Sequence, residues 1–227
     1  MVFPPIFDGL PVKGFFTAKE DGPGREGAAK MLGVPPEAVY LPIQKHTDEV
    51  AIISHELTPV IADSIVTARE GLFIGIQVAD CVPILLYDRV RRVAGAVHAG
   101  WRGTAAGILG KTLRVMAEAF RASASDVLIA VGPSIKGCCY EVGREVIEAV
   151  VNVTGEGDYC KGRCGKYHID LPEANRRQAL SSGVPPGNIW ISGDCTFCHP
   201  DKYHSYRYAC RLAKNAAGRQ CGFIGIV

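Results

Sequence analysis

The sequence predicts an α+β domain built on mixed sheets. Three observations carry that prediction. Apolar runs of strand length, Leu72 to Val78, Val82 to Tyr87, Val93 to Val97 and Val127 to Val131, are bounded by turn residues. Longer stretches, Thr104 to Phe120, Val142 to Val153 and Leu171 to Ser181, carry helical spacing. The two kinds mix without strict βαβ alternation, and neither a linker nor a repeat divides the 227 residues, so 1–227 reads as one domain.

Taken in order, Phe3 to Lys19 alternates loosely and predicts one or two short strands, closed by the turn Lys19-Glu20-Asp21-Gly22-Pro23-Gly24. Arg25 to Gly33 predicts a short helix, stopped by Gly33 and by Pro35-Pro36. Val39 to Ile43 and Glu49 to Ser54 are strand-like, with Gln44 to Asp48 between them. Thr104 is a plausible N-cap for the helix that runs to Phe120. Asp158 to Tyr167 predicts a surface loop or hairpin, and Asp170 an N-cap for Leu171 to Ser181. Asn188 to Ser192 predicts a strand, His199 to Tyr206 a polar aromatic loop, and Gly222 to Val227 a final strand.

Composition is that of an ordinary globular chain, 48% hydrophobic and 21% charged. A net charge of +2 and the lack of a basic run argue against nucleic acid as a partner. No stretch approaches the roughly 20 apolar residues of a membrane span. The first residues, MVFPPIFDGLPVKGFF, place prolines and Asp8 where a secretory signal would be continuously apolar, so the expectation is a cytoplasmic protein. Nine cysteines are an odd number, so disulfides cannot use them all.

His46, Cys81 and His98 each sit just past an apolar run. If those strands lie side by side, the three side chains meet at one rim. One Cys and two His suit a zinc ion with an open fourth position. Spacing alone leaves three readings open: a shared metal, a buried Cys with two rim histidines, and a Cys–His nucleophile built on Cys81 and His98. Asp80 could hold a ligand histidine, transfer a proton, or cap the strand end. Arg25 and Arg102 could bind an anion bidentately or lie free at the surface. His98 leads into Gly100-Trp101-Arg102-Gly103, a turn that brings backbone N–H groups to the rim. Cys160 and Cys164, taken with Cys195 and Cys198, form two close-spaced pairs. Their readings are a second, structural zinc site, disulfides, or unrelated thiols.

Several stretches together resemble the YfiH/YlmD family, also called the laccase-domain or multicopper polyphenol oxidase family. They are Ala79-Asp80-Cys81-x-Pro83, His98-Ala99-Gly100-Trp101-Arg102-Gly103, Gly132-Pro133-Ser134-Ile135 and Tyr140-Glu141-Val142. Asp63 and Thr67, Asp170-Leu171 with Asn175 and Gln178, Cys195-Thr196, Ser205-Tyr206-Arg207 and Gly218-Arg219 follow the same pattern. The resemblance implies a YfiH-like four-layer α/β/β/α fold with two packed mixed sheets. It implies zinc, with copper as the alternative, held by His46, Cys81 and His98.

The activity it implies is that of a purine nucleoside enzyme. This would phosphorolyse adenosine, inosine and methylthioadenosine, and would deaminate adenosine. The partners would be a nucleoside and phosphate, and the protein a monomer or weak homo-oligomer. On that reading Arg25, Asp80 and Cys81 are catalytic, with Arg25 on phosphate, while Lys19 and Arg102 bind substrate. The competing functions are a peptidoglycan-precursor editing amidase, a copper polyphenol oxidase and a non-catalytic nucleoside-binding module. Oxidase chemistry through several coppers normally needs many histidines, and this chain has six.

The sequence departs from the family pattern near its start. Where the family has Thr-x-Arg-x-Gly-Gly, this chain has Thr17-Ala18-Lys19-Glu20-Asp21-Gly22, and lysine does not reproduce a bidentate arginine contact. An Asn- and Leu-rich family segment is missing after it, so the resemblance implies a shortened N-terminal segment. Gly24 stands in place of an Asn, and Ser205-Tyr206-Arg207-Tyr208 lacks the second arginine of the family's Ser-x-Arg-Arg.

Overall fold

The computed structural model describes residues 1–22, 24–163, 166–212 and 217–227. In chain order its elements begin with β1 (Val12–Phe16), α1 (Gly24–Leu32), β2 (Val39–Tyr40), β3 (Val50–Ile52) and β4 (Ser64–Thr67). There follow β5 (Phe73–Val78), β6 (Val82–Asp88), β7 (Val93–Ala99), α2 (Trp101–Ala105), α3 (Ile108–Phe120) and β8 (Val127–Val131). The last are β9 (Glu141–Val142), α4 (Arg144–Thr154), β10 (Cys160–Arg163), β11 (Lys166–Ile169), α5 (Leu171–Ser181), β12 (Ile189–Ile191), α6 (Tyr206–Arg211) and β13 (Gln220–Ile226).

Two large sheets form the middle of the molecule. One has six strands in the order β12-β8-β6-β7-β4-β3, the other four in the order β1-β13-β5-β2. Both are mixed: β12 and β8 run parallel, as do β3 and β4, and β2 and β5, while the remaining neighbours are antiparallel. A small third sheet has the order β10-β11-β9 with both pairs antiparallel, so the strands on either side of residues 164 and 165, which lie outside the described residues, pair with each other.

Alternation along the central strands explains the layering. On β6, Val82, Ile84 and Leu86 join Ile108, Leu109, Leu113 and Ala174 in the core under the helices. From the same strand Leu85 and Tyr87 point the other way, packing with Ile74, Ile76, Ile224 and Phe16 between the sheets. A strand buried on both faces reads as one continuous apolar run, which is why β5 to β8 are visible in the sequence. On the outer face of the four-stranded sheet, Ala28 and Ala29 of α1 pack on Phe73 and Phe223. The order is therefore α1, four-stranded sheet, six-stranded sheet, and the α2 to α5 helices: the four layers expected. Among the described residues no helix is long and apolar enough to cross a membrane.

Several local expectations change. The helix after His98 begins at Trp101 with Gly100 as N-cap, not at Thr104. Thr104 lies inside α2, where its Oγ1 accepts a hydrogen bond from Asn175 Nδ2 at 3.0 Å. The chain then breaks at Gly107, whose φ of +70° suits glycine, before α3 begins. Asp170 does cap α5, accepting from the Glu173 N–H at 3.0 Å. Ser64–Thr67, not anticipated as a strand, is β4, fully buried between β3 and β7. Tyr206–Arg211, expected to begin as loop, is helical, with the Ser205 side chain accepting from the Tyr208 N–H.

Candidate metal centre

Register places the centre. On β6 and β7, Val82 pairs with Ala99 and Pro83 with His98, so Cys81 lies just off the strand end, beside His98. β4 flanks β7 on its other side with Ser64 opposite Val97, and the His98 N–H donates to the Asp63 carbonyl at 2.7 Å. His46 arrives from the loop between β2 and β3, held at a φ of +58°. The ligand atoms of His46, Cys81 and His98 all lie within 4.8 Å of one another. The two imidazole rings meet edge to face with centroids 4.8 Å apart.

Asp63 organises both histidines. Its Oδ1 accepts from His98 Nδ1 at 2.7 Å and from the His46 N–H at 3.1 Å. Its Oδ2 accepts from the N–H groups of Lys45 and Thr47 and from the Thr47 hydroxyl, at 3.1, 2.7 and 2.8 Å. The carboxylate thus ties down the His46 loop and fixes the His98 tautomer, leaving Nε2 as its ligand atom. Burial would raise the Asp63 carboxyl, but these donors outweigh it and hold it well below the usual carboxylate range.

Burial pushes the Cys81 thiol up, yet hydrogen bonds and charge from His46 and His98 bring it down to about 6. Burial lowers His98, and Asp63 and Cys81 overcome that and raise it to about 9. Without metal, these shifts favour a thiolate beside a protonated imidazole, and a bound cation would take the place of the His98 Nε2 proton. Gly100 makes the approach feasible: a Cβ there would sit 3.1 Å from Cys81 Sγ and 3.4 Å from His46 Cδ2. That close approach is the structural reason for the glycine after His98-Ala99.

The centre opens into a cleft of about 520 Å³ lined by Pro42, Ile43, Gln44, Gln77, Tyr206 and Arg219 besides the three ligands. That volume is in the range of small-molecule sites. The Gln44 amide pairs with the Gln77 backbone through two bonds of 2.8 Å, which leaves the Gln77 side chain at the cleft.

The remaining expected site residues are placed as follows. Asp80 is buried at a φ of +82°, its Oδ1 accepting from Thr196 Oγ1 and its Oδ2 from the Arg207 N–H, both at 2.7 Å. The carboxylate that holds a ligand histidine is therefore Asp63, not Asp80. Arg25 lies on α1 with Nε donating to the Pro36 carbonyl at 2.5 Å, and Lys19 donates to the Pro200 carbonyl. Arg102 stacks on the neighbouring Trp101 ring at 4.4 Å. None of these three lines the cleft among the described residues; its cation is Arg219. Asp63, Tyr206 and Arg219 all fall in stretches that matched the family pattern, but lacking a metal-ligand signature they drew no role there. Tyr140, pushed up to about 12 by burial and by the charge of Cys81, keeps its proton near the centre.

The four-thiol expectation is corrected. Cys160 lies on the β10 strand apart from the others, and Cys164 lies outside the described residues. The thiols that meet are Cys138, Cys139, Cys195 and Cys198.

The fold and the site define a four-layer α+β protein with a two-histidine, one-cysteine centre at the rim of its six-stranded sheet. The chain belongs to the multi-copper polyphenol oxidoreductase laccase family, whose model matches residues 23–227. It is 37% identical over 185 residues to a purine nucleoside phosphorylase of Bacteroides thetaiotaomicron, covering 76% of this chain and 68% of that one. It is 35% identical over 192 residues to adenosine deaminase RL5 of an unknown prokaryotic organism, covering 79% and 74%. The crystal structure of YlmD from Geobacillus stearothermophilus superposes with a TM-score of 0.87 at 28% identity, covering 98% of this chain and 93% of that one.

Proposed function

We propose that this protein is a zinc-dependent purine nucleoside enzyme, a phosphorylase of adenosine, inosine and methylthioadenosine that also deaminates adenosine. The observation that carries the reading is the convergence of His46, Cys81 and His98 at the floor of a nucleoside-sized cleft, in a chain related to a phosphorylase and a deaminase. The donor set fits a divalent metal: one thiolate and two imidazoles, one of them oriented by a buried carboxylate. Bound by His46, Cys81 and His98, zinc would supply Lewis acidity and activate water. Copper would find the same donors acceptable, but oxidase chemistry through several coppers has no second histidine cluster among the described residues.

The chain's own groups divide the remaining work. The exposed Tyr206 ring and Ile43 offer the purine apolar faces, and the Gln77 amide offers its edge a donor and an acceptor. Arg219 is the cleft's cation for phosphate. Arg25 lies outside the cleft lining, beside Gly24, where a Cβ would be 3.8 Å from Gln77 Nε2, and would join Arg219 on phosphate only by turning away from the Pro36 carbonyl. In phosphorolysis a phosphate oxygen bonds to the anomeric carbon as the glycosidic bond breaks, and the purine leaves with a proton. In deamination water adds at the carbon bearing the exocyclic amine and ammonia leaves. Asp80 serves by position, holding Thr196 and the Arg207 backbone against the loop that presents Cys81.

Products identify the reaction. Zinc-loaded protein incubated with adenosine should give adenine and ribose 1-phosphate when phosphate is present, and inosine without it. Absence of all three would refute the proposal. Cleavage of a muropeptide amide by protein inert toward nucleosides would favour the editing amidase, and tight nucleoside binding without turnover the binding module.

A further inference from the structure

Cys138, Cys139, Cys195 and Cys198 bring four sulfurs within 4.8 Å of one another, a group that shares no residue with the cleft ligands. Cys138 Sγ lies 3.4 Å from Cys139 Sγ and 3.9 Å from Cys198 Sγ, and Cys139 Sγ lies 3.3 Å from Cys198 Sγ. Four thiolates around one zinc at about 2.3 Å sit at tetrahedron corners roughly 3.8 Å apart. The sulfurs already lie close to that spacing. A multi-iron cluster would place inorganic sulfide and several irons between the thiolates and hold them wider.

The backbone prepares the corner. The turn at residues 137–139 is closed by the Cys139 and Tyr140 N–H groups on the Lys136 carbonyl, both at 2.9 Å, and presents two adjacent thiols together. Cys195-x-x-Cys198 forms a second turn, closed by the His199 N–H on the Cys195 carbonyl at 3.1 Å. The Lys136 N–H points at Cys195 Sγ from 3.5 Å, which favours a thiolate there. A parallel bridge between Ser134 and Cys195 fixes the two turns against each other. The Lys136 ammonium, anchored on the Ser192 carbonyl at 2.7 Å, offsets part of the negative charge. A single disulfide within the set would leave two thiols stranded beside it.

We propose that Cys138, Cys139, Cys195 and Cys198 bind one structural zinc ion. The ion has no open coordination position and clamps the loop before β9 to the loop after β12. Those loops carry Tyr140, Ser134 and Thr196, and Thr196 donates to Asp80 beside the cleft ligand Cys81. The clamp therefore braces the cleft wall from behind.

Metal analysis tests this with the cleft site removed. In Cys81→Ala protein, purified under reducing conditions with zinc supplied, about one zinc per chain should remain, and adding Cys198→Ser should bring it to about 0.1 or less. Cobalt loaded into the Cys81→Ala protein should give the intense charge-transfer absorption of several thiolates on one tetrahedral ion. Cys198 is exposed, so its substitution tests the ligand without hollowing a core. Folded Cys81→Ala protein that binds no zinc would overturn the proposal. So would iron in place of zinc, or a mass two hydrogens lighter with the paired cysteines blocked from alkylation.

Discussion

Replacing Asp63 with Asn tests the carboxylate that orients both histidines. The exchange is isosteric, but Asn offers one acceptor oxygen where Asp63 offers two, and the five donors around it are matched to two. With the amide oxygen toward Lys45 and Thr47, the amide nitrogen faces the His46 N–H and His98 Nδ1. His98 can satisfy that amide only by moving its proton to Nε2, the nitrogen needed as a ligand. With the amide reversed, the Lys45 and Thr47 N–H groups lose their acceptor. Each buried donor left unpaired costs about 1–3 kcal/mol, and losing such a carboxylate behind a metal-ligating histidine weakens metal binding about 10–100-fold. Asp63→Asn should therefore bind zinc about 10–100-fold more weakly, by competition with a chromophoric chelator, and unfold about 1–3 kcal/mol more easily when metal-free. Nitrogen shifts of the His98 ring should report the changed tautomer. Zinc affinity within about twofold of wild type, with the tautomer unchanged, would refute this reasoning.

Other consequences are equally direct. Gly100→Ala puts a methyl 3.1 Å from Cys81 Sγ, and since overpacking costs about 1–3 kcal/mol, zinc affinity should fall about 5–150-fold with little change in far-ultraviolet circular dichroism. Zinc affinity should rise with pH between about 6 and 9, because His98, raised to about 9, must give up its proton to bind while Cys81, lowered to about 6, is already a thiolate. Below about 6 the slope should steepen as Cys81 also protonates, and calorimetry in buffers of different ionisation enthalpy reads the protons released. Asp63 is depressed on folding, so its stabilisation is present above the unfolded value of about 3.9 and fades as pH falls below it. The stability gap between wild type and Asp63→Asn should narrow on acidification. Arg219→Ala should raise the KM for phosphate about tenfold or more, and Arg25→Ala should raise it less, in initial-rate assays at saturating nucleoside.

What the sequence shows and hides follows from where the information lies. Strands β5 to β8 are buried on both faces and so appear as uninterrupted apolar runs, and their ends mark Cys81 and His98. β4 is equally buried but only four residues long, and Ser64 and Thr67 spend their polarity on internal hydrogen bonds, so it carries no apolar signature. Asp63 immediately precedes it and shares its obscurity: a carboxylate accepting from His46 and His98 is defined by register across β4 and β7, not by spacing. Asp80, adjacent to the ligand cysteine, draws the eye by proximity along the chain, yet its oxygens face Thr196 and Arg207. The thiol cluster shows the same limit. Cys195-x-x-Cys198 is legible as half a site, but its partner pair is fixed by the Ser134–Cys195 bridge between distant loops, which no local pattern encodes. The helix start at Trp101 was masked for another reason: Gly100 caps through extended backbone alone, while Thr104, the residue with a capping side chain, serves Asn175 instead.

The decisive measurement is phosphorolysis of adenosine by wild-type and Cys81→Ala protein at matched concentration, with zinc at the cleft site quantified in each. The thiolate supplies one of three ligands, so its removal should abolish zinc at the cleft and, with it, both ribose 1-phosphate and inosine formation. A folded Cys81→Ala protein that still turns over adenosine at the wild-type rate would contradict the assignment of His46, Cys81 and His98 as the reacting centre.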